Sequence, residues 1–156
     1  GELSIRKGVD ILIKIIENAP SNIKFTIAGD GVLKKDLTTL VKNFKNAEYR
    51  GYADKSMLDI LYRQNEVLIL PSRAESMSLA LLEALSYGLV IIDSKDVMLG
   101  LNKKVEYSGD NKNIKTYLII LKKLFAMKKS NQLNKSYIKS YFTKNFLILH
   151  CWNKFK

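Results

Sequence analysis

Apolar positions in this chain follow two periods that replace one another along its length. "KGVDILIKIIENA" places Val9, Ile11, Leu12, Ile15 and Ile16 on one helical face, whereas "NIKFTIAG" reads as a strand ending at Gly29. "GVLKKDLTTLVKNF" is a second amphipathic helix, "NAEYRGY" a short strand, and "DKSMLDILYRQ" a third helix with Asp54 as its N-cap. "EVLIL" is short, apolar and closed by Pro71-Ser72, the pattern of a buried parallel strand ending in a loop. "MSLALLEALSYG" is apolar at Met77, Leu79, Leu81, Leu82 and Leu85, with Ser76 as its predicted N-cap and Gly88 as its stop. "LVIID" then returns to the strand pattern. Beyond Asp96 the signal weakens: "KKVEYSGD" allows one more strand, "NIKTYLIILKKLFAM" is a helix, and "SYIKSYFTKNFLILHCWNKF" gives one or two closing helices rich in aromatics. Strands alternating with helices of about 10–15 residues predict an α/β fold with a doubly wound, mostly parallel sheet flanked by helices.

The pattern opens abruptly. A sheet of this kind starts with a full apolar strand, and here only "ELSI" precedes the first helix, so Gly1 is expected to be a boundary within a longer chain. The 156 residues, 47% of them hydrophobic, suffice for a single domain with its own core. No stretch approaches the roughly 18 apolar residues of a membrane-spanning helix. "GELSIRKG" lacks the apolar centre of a signal peptide. One cysteine forms no internal bridge, which fits a reducing, cytoplasmic setting. His150 and Cys151 are adjacent, so on a helix they point apart and make a poor metal or nucleophile pair.

Charge divides the chain. Residues 1–102 carry 13 basic and 13 acidic side chains, so the net charge of +11 resides in 103–156, where 13 lysines face only Glu106 and Asp110. Such a segment suits an anionic membrane surface, or is simply a solvated lysine face. The absence of arginine clusters interleaved with aromatics argues against nucleic acid.

Candidate chemistry centres on "LPSRAESMSLALLEALSYGLVIID". Glu75 falls where a strand hands over to a helix, and Glu83 about two turns along that helix. In open α/β sheets ligands bind at this end of the strands, and a helix N-terminus there suits a phosphate.

Together, "GELSIRKGVDILI", "FTIAGDG", "YRGYADKSMLDILYRQNEVLILPS" and "ESMSLALLEALSYGLVII" resemble the C-terminal, donor-binding half of GT-B retaining glycosyltransferases of the family 4, or group 1, type. The resemblance runs in register to about residue 93 and implies a Rossmann-like domain over 1–156, with a sheet core in 1–102 and a basic, largely helical part in 103–156. It also implies a missing N-terminal domain that binds the acceptor glycan or glycolipid. By position, Lys7 resembles the lysine that neutralises the donor diphosphate, with an ordinary first-turn lysine as the alternative. Gly29 and Gly31 match glycines beside the donor, and Gly51 and Tyr52 the loop packing on the nucleotide base, although Tyr52 also fits an ordinary half-buried aromatic. Glu75 resembles the carboxylate that orients the transferred sugar's hydroxyls, so Glu75 and Lys7 are the catalytic candidates. Glu83 resembles the acceptor of ribose hydroxyl hydrogens. Ser72 and Ser76 fall in the donor loop, and the amides of Met77, Ser78 and Leu79 would face the diphosphate. The implied substrate is a nucleotide-diphosphate sugar, with no cofactor and no metal, since no Asp-x-Asp or histidine cluster is present.

Three departures from the family pattern stand out. Glu2 occupies the position of an arginine that would pair with the diphosphate, leaving Arg6 to compensate. Ser76-Met77-Ser78 replaces Gly-Phe-Gly, adding side chains where backbone should approach phosphate. "SKDVMLGLNKKVEY" replaces a longer glycine-rich loop. The leading expectation is a sugar transferase domain of polysaccharide or glycolipid synthesis, inactive without its partner domain. The alternatives are a catalytically lost GT-B-like module that binds a membrane surface through its basic part, or a GT-B-like epimerase.

Overall fold

The computed structural model describes residues 1–74, 78–95 and 106–145, the last five of these by backbone alone. Eleven elements follow in the predicted alternation: α1 (Val9–Asn18), β1 (Phe25–Ile27), α2 (Lys34–Asn43), β2 (Ala47–Tyr49), α3 (Lys55–Gln64), β3 (Val67–Leu70), α4 (Leu79–Ser86), β4 (Val90–Ser94), β5 (Glu106–Gly109), α5 (Lys115–Lys129) and α6 (Lys135–Asn145).

Local chemistry sets two of the helix boundaries. The Asp54 carboxylate accepts from the Met57 amide at 2.8 Å, capping α3 as its sequence predicts. Helix α4 ends at Ser86 and is stopped by Gly88, which has φ 83°; the Gly88 amide donates to the Leu85 carbonyl and the Leu89 amide to the Ala84 carbonyl. That bonding pattern is the Schellman stop, which favours a residue without Cβ. The other end of α4 departs from expectation. The helix starts at Leu79 and Ser78 holds the cap position, so Ser76 is not the N-cap. Glu83 is therefore the fifth helical residue, little more than one turn in.

Among the described residues all strand pairs are parallel, in two hydrogen-bonded groups. β1 pairs with β2, Phe25 opposite Ala47, and the second group runs β3-β4-β5, with Val67 opposite Val90 and Ile91 opposite Glu106. The predicted single sheet is thus divided between β1 and β3. β4 is buried along its whole length, which requires apolar cover on both faces. Ile15 and Ile16 of α1, Leu37 of α2, Leu85 of α4, Tyr117 of α5 and Ile138 of α6 join Ile91 and Ile92 in one core. Each such side chain contributes about 1.5–3 kcal/mol by leaving water. Within each group the parallel strands therefore present their C-terminal ends, and the loops that follow them, on one side.

Candidate functional site

Four described chain segments meet beyond the ends of β1 and β3: the turn into α1, the loop after β1, the loop after β2, and residues 71–74 after β3. Gly8 precedes α1 with φ 71°, and a Cβ there would lie 1.8 Å from the Pro71 carbonyl oxygen. The Lys7-Gly8 turn thus presses backbone to backbone on the end of β3, which only glycine allows. Arg73 locks the same junction. Its amide donates to the Arg6 carbonyl at 2.9 Å, and its guanidinium forks onto the Asp10 carboxylate at 2.8 and 2.7 Å while also donating to the Ile5 carbonyl. The Arg73 hydrogen bonds hold the Asp10 carboxyl below the usual carboxylate range. Lys7, partly buried, is fixed by this clamp next to the strand end.

The loop after β1 is stitched to its neighbours. The Gly29 amide donates to the Gly51 carbonyl at 2.7 Å and the Tyr49 hydroxyl donates to the Gly29 carbonyl at 2.8 Å. A Cβ on Gly29 would lie 1.9 Å from the Gly1 oxygen, and one on Gly31 2.6 Å from the Leu3 oxygen. Both glycines therefore face the opening segment of the chain itself. Gly51 has φ 70° and open space around it. Tyr52 is 78% exposed, which removes the alternative of a half-buried packing aromatic.

At α4, Ser78 is buried and makes no side-chain cap, so its hydroxyl does not occupy the helix N-terminus, and Leu79 is 68% exposed. The Glu83 carboxylate accepts from the Tyr62 hydroxyl of α3 at 3.2 Å, and Tyr62 stacks on Tyr87 with centroids 5.3 Å apart. Burial, then the Glu83 charge, raises the Tyr62 pKa, which keeps the phenol a donor. Arg6 meets Glu2 at 3.1 Å, both side chains more than half exposed, so the carboxylate that departs from the family pattern is neutralised by its own neighbour. The same arginine draws the Glu2 pKa down. Ser72 is buried, and its hydroxyl has no hydrogen-bond partner among the described residues. Glu75, Ser76 and Met77 lie outside the described residues.

The structure thus brings Arg6, Lys7 and Ser72 to one junction and joins Gly29 to Gly51, while Glu83 is held by α3. Two features escape sequence reading. Arg73 and Asp10 are each ordinary alone. Asn111, after β5, donates to the Ser72 carbonyl at 3.2 Å and the Ser94 hydroxyl at 2.9 Å while accepting from the Tyr117 hydroxyl at 2.7 Å. It ties the loop after β3 to the end of β4 and to α5. The clustering of "SGDNKN" polar residues between strand and helix was the available signal.

The profile of the family "Glycosyl transferases group 1" matches residues 1–99. The O-antigen biosynthesis glycosyltransferase WclY of Escherichia coli is 30% identical over 123 residues, covering 76% of this chain and 34% of that protein. The sulfoquinovosyl transferase SQD2 of Arabidopsis thaliana is 27% identical over 95 residues, 61% of this chain and 18% of that protein. The chain spans between 18% and 34% of the length of the curated relatives it matches. Among solved structures, the C-terminal domain of the group 1 family protein LpcC from Francisella tularensis superposes with a TM-score of 0.78 at 19% identity, over 94% of this chain and 83% of that one. The catalytic domain of cholesterol-α-glucosyltransferase from Helicobacter pylori gives 0.77 at 19% identity, over 92% and 94%. Anabaena HepE in complex with UDP gives 0.78 at 16% identity, over 94% of this chain and 43% of that one. These likenesses give the fold, a Rossmann-like half of GT-B. With the profile match over most of its length, the chain belongs to the group 1 glycosyl transferases.

Proposed function

We propose that this chain holds the nucleotide-diphosphate sugar donor in a sugar transfer that retains the anomeric configuration, with an N-terminal partner domain presenting the acceptor hydroxyl. The observation that carries this reading is the junction of Gly8 with Pro71, locked by Arg73. It fixes the cationic opening of α1 against Pro71 and Arg73 after β3, and Ser78 leaves the N-terminus of α4 without a cap from its side chain. In this reading the lysine and the helix N-terminus together face the diphosphate leaving group.

In this reading Lys7 and the amides of Met77, Ser78 and Leu79 stabilise charge growing on the diphosphate as the bond to the anomeric carbon breaks. Glu75 accepts from the sugar hydroxyls and holds that carbon in line with the acceptor oxygen. Glu83 accepts from the ribose hydroxyls with its position fixed by Tyr62. Arg6, Gly29, Gly31, Gly51, Tyr52, Ser72 and Ser76 complete the donor surface, and no metal or cofactor takes part. The reaction serves cytoplasmic polysaccharide or glycolipid synthesis, and the domain alone does not turn over. Support for a uridine donor comes from HepE, solved with UDP and with UDP-glucose. Titration calorimetry with uridine-, guanosine- and adenosine-diphosphate sugars, with and without a chelator, tests the reading; no binding at millimolar donor ends it.

A second reading is supported by the charge segregation. Ile119 is 66% exposed on α5 between exposed Lys115, Lys122 and Lys123, a surface suited to anionic lipid. Among the described residues no helix is long and apolar enough to cross a membrane. Sedimentation with anionic vesicles that is absent, or insensitive to salt, removes this reading.

A further inference from the structure

β3 parts from β4 where the candidate site begins. Their ladder ends at Leu70 opposite Asp93, whereas β4 stays paired with β5 as far as Ser94 opposite Gly109. One side chain from the turn between β5 and α5 spans the opening. Asn111 donates through Nδ2 to the Ser72 carbonyl at 3.2 Å, just past β3, and to the Ser94 hydroxyl at 2.9 Å, at the end of β4. Its Oδ1 accepts from the Tyr117 hydroxyl at 2.7 Å. A carbonyl only accepts, so Ser72 fixes which way the amide faces. Both amide hydrogens are then engaged, and Asn111 has no donor left for a ligand.

The frame behind Asn111 is fixed by its own sequence. The Asp110 carboxylate accepts from the Lys112 amide at 2.9 Å, and the Asp110 amide donates to the Thr116 hydroxyl at 2.7 Å. That hydroxyl in turn donates to the Asn113 carbonyl at 2.8 Å. Such side-chain to backbone bonds hold a turn in one shape. Tyr117 is fully buried, and a Cβ on Gly109 would overlap its ring. Glycine in β5 therefore admits the ring, and the ring carries its hydroxyl to Asn111.

We propose that Asn111 is a positioning residue for the nucleotide-diphosphate sugar, acting through Ser72, a role that rests on the donor reading above. Three consecutive residues after β3 are held from two sides. Pro71 abuts Gly8, Ser72 is held by Asn111, and Arg73 is bonded to Arg6 and Asp10. A surface loop is ordinarily the mobile part of a domain, and holding it in advance removes an ordering cost that a ligand otherwise meets. Gly8, Arg6 and Asp10 fix the α1 side of this loop. Asn111 fixes the β4 side, where the strand ladder has already ended. Ser72 has no second side-chain anchor, because its buried hydroxyl has no hydrogen-bond partner among the described residues.

Two variants break opposite ends of this network. Asn111→Ala removes the bonds to Ser72 and Ser94, whereas Tyr117→Phe keeps both and breaks only the link to α5. Each is titrated by calorimetry with whichever of uridine-, guanosine- or adenosine-diphosphate glucose the parent chain binds most tightly, and each is melted beside the parent. Asn111→Ala should weaken the donor by about tenfold. Tyr117→Phe should lower Tm by about 1–6 °C and change donor affinity by less than about twofold. Equal affinity in Asn111→Ala and the parent overturns the proposal and leaves the donor reading standing. Equal weakening by the two variants also overturns it, since a general loss of framework then accounts for both. If the parent binds none of the three sugars, the donor reading and this inference fall together. Should Asn111→Ala fail to fold, Asn111→Ser, which stays polar but falls one bond short of Ser72, decides: undiminished affinity overturns the proposal.

Discussion

Replacing Gly8 by alanine separates two costs that are usually confounded. Gly8 and Gly51 have nearly the same backbone, with φ 71° and 70°. A side chain in the left-handed region costs about 1–2 kcal/mol at either position. Their surroundings differ: a Cβ at Gly51 meets nothing within 4 Å, whereas at Gly8 it lies 1.8 Å from the Pro71 oxygen and 2.5 Å from the Pro71 carbon, both backbone atoms. Restoring even a 3.0 Å contact moves α1 and the β3 end apart by at least about 1.2 Å. Forced repacking of that kind adds about 1–3 kcal/mol. At about 2–4 °C per kcal/mol for a chain of this size, Gly51→Ala should melt about 2–8 °C below the parent. Gly8→Ala should fall a further 2–12 °C, roughly in proportion to the added strain. Because the displaced segment carries Lys7, a shift near 1 Å should also weaken the donor by up to about 100-fold if it binds there. Differential scanning calorimetry on the pair, followed by donor titration, supplies both readouts. Equal melting of the two variants would refute the idea that the Gly8–Pro71 contact is what requires glycine.

Four further outcomes follow from the same geometry. Asp54→Ala removes the cap on the Met57 amide and should cost about 1 kcal/mol, read as a lower urea midpoint with an unchanged slope. Tyr117→Phe leaves the half-buried Asn111 oxygen without its hydroxyl donor and should cost about 0.5–1.5 kcal/mol; a double-mutant cycle with Asn111→Ala should show coupling above about 0.5 kcal/mol. Asp10 has a depressed pKa in the folded state, so its stabilisation is complete above the unfolded value near 3.9 and is lost as pH falls through the folded one. Asp10→Asn should therefore be less stable at neutral pH and lose less on acidification, in acid titrations followed by circular dichroism. Lys7→Met and Glu83→Gln should each lower donor affinity by about 10–100-fold in calorimetry while changing the melting temperature little.

The features legible in the sequence are those whose cause lies within one helical turn. Asp54 and Met57 are three residues apart, and Leu85, Gly88 and Leu89 close α4 from within the same stretch, so both boundaries follow from local bonding. The start of α4 misled because two serines precede it. Ser76 and Ser78 are equally good caps by residue type, and the helix opens at Leu79 with Ser78 in the cap position. Contacts across long separations gave no warning. Asp10 and Arg73 are 63 residues apart, and each reads as a surface charge until the fold places them 2.7 Å apart. Tyr52 shows the converse. An aromatic beside a strand suggests packing, yet Tyr52 is 78% exposed. The candidate site was legible as an order of residues, and its Arg73 clamp and Asn111 tie were not.

That division separates the parts of the site that report on chemistry from those that report on framework. Gly8, Gly29 and Gly31 each face protein backbone, namely Pro71, Gly1 and Leu3, at distances that exclude a Cβ. Their presence is accounted for by folding alone, before any ligand arrives. A chain that had lost transfer but kept its fold would need all three. The charged groups are not set by those backbone contacts. Lys7 is not demanded by the Gly8–Pro71 contact, and Glu83 could satisfy Tyr62 equally well as glutamine, whose side-chain oxygen also accepts. Arg6 and Glu2 cancel one another at an exposed position, where such a pair contributes little to stability. Donor affinity lost in the Lys7 and Glu83 variants without loss of stability would therefore distinguish a working transferase domain from a retained scaffold, and no glycine substitution can make that distinction.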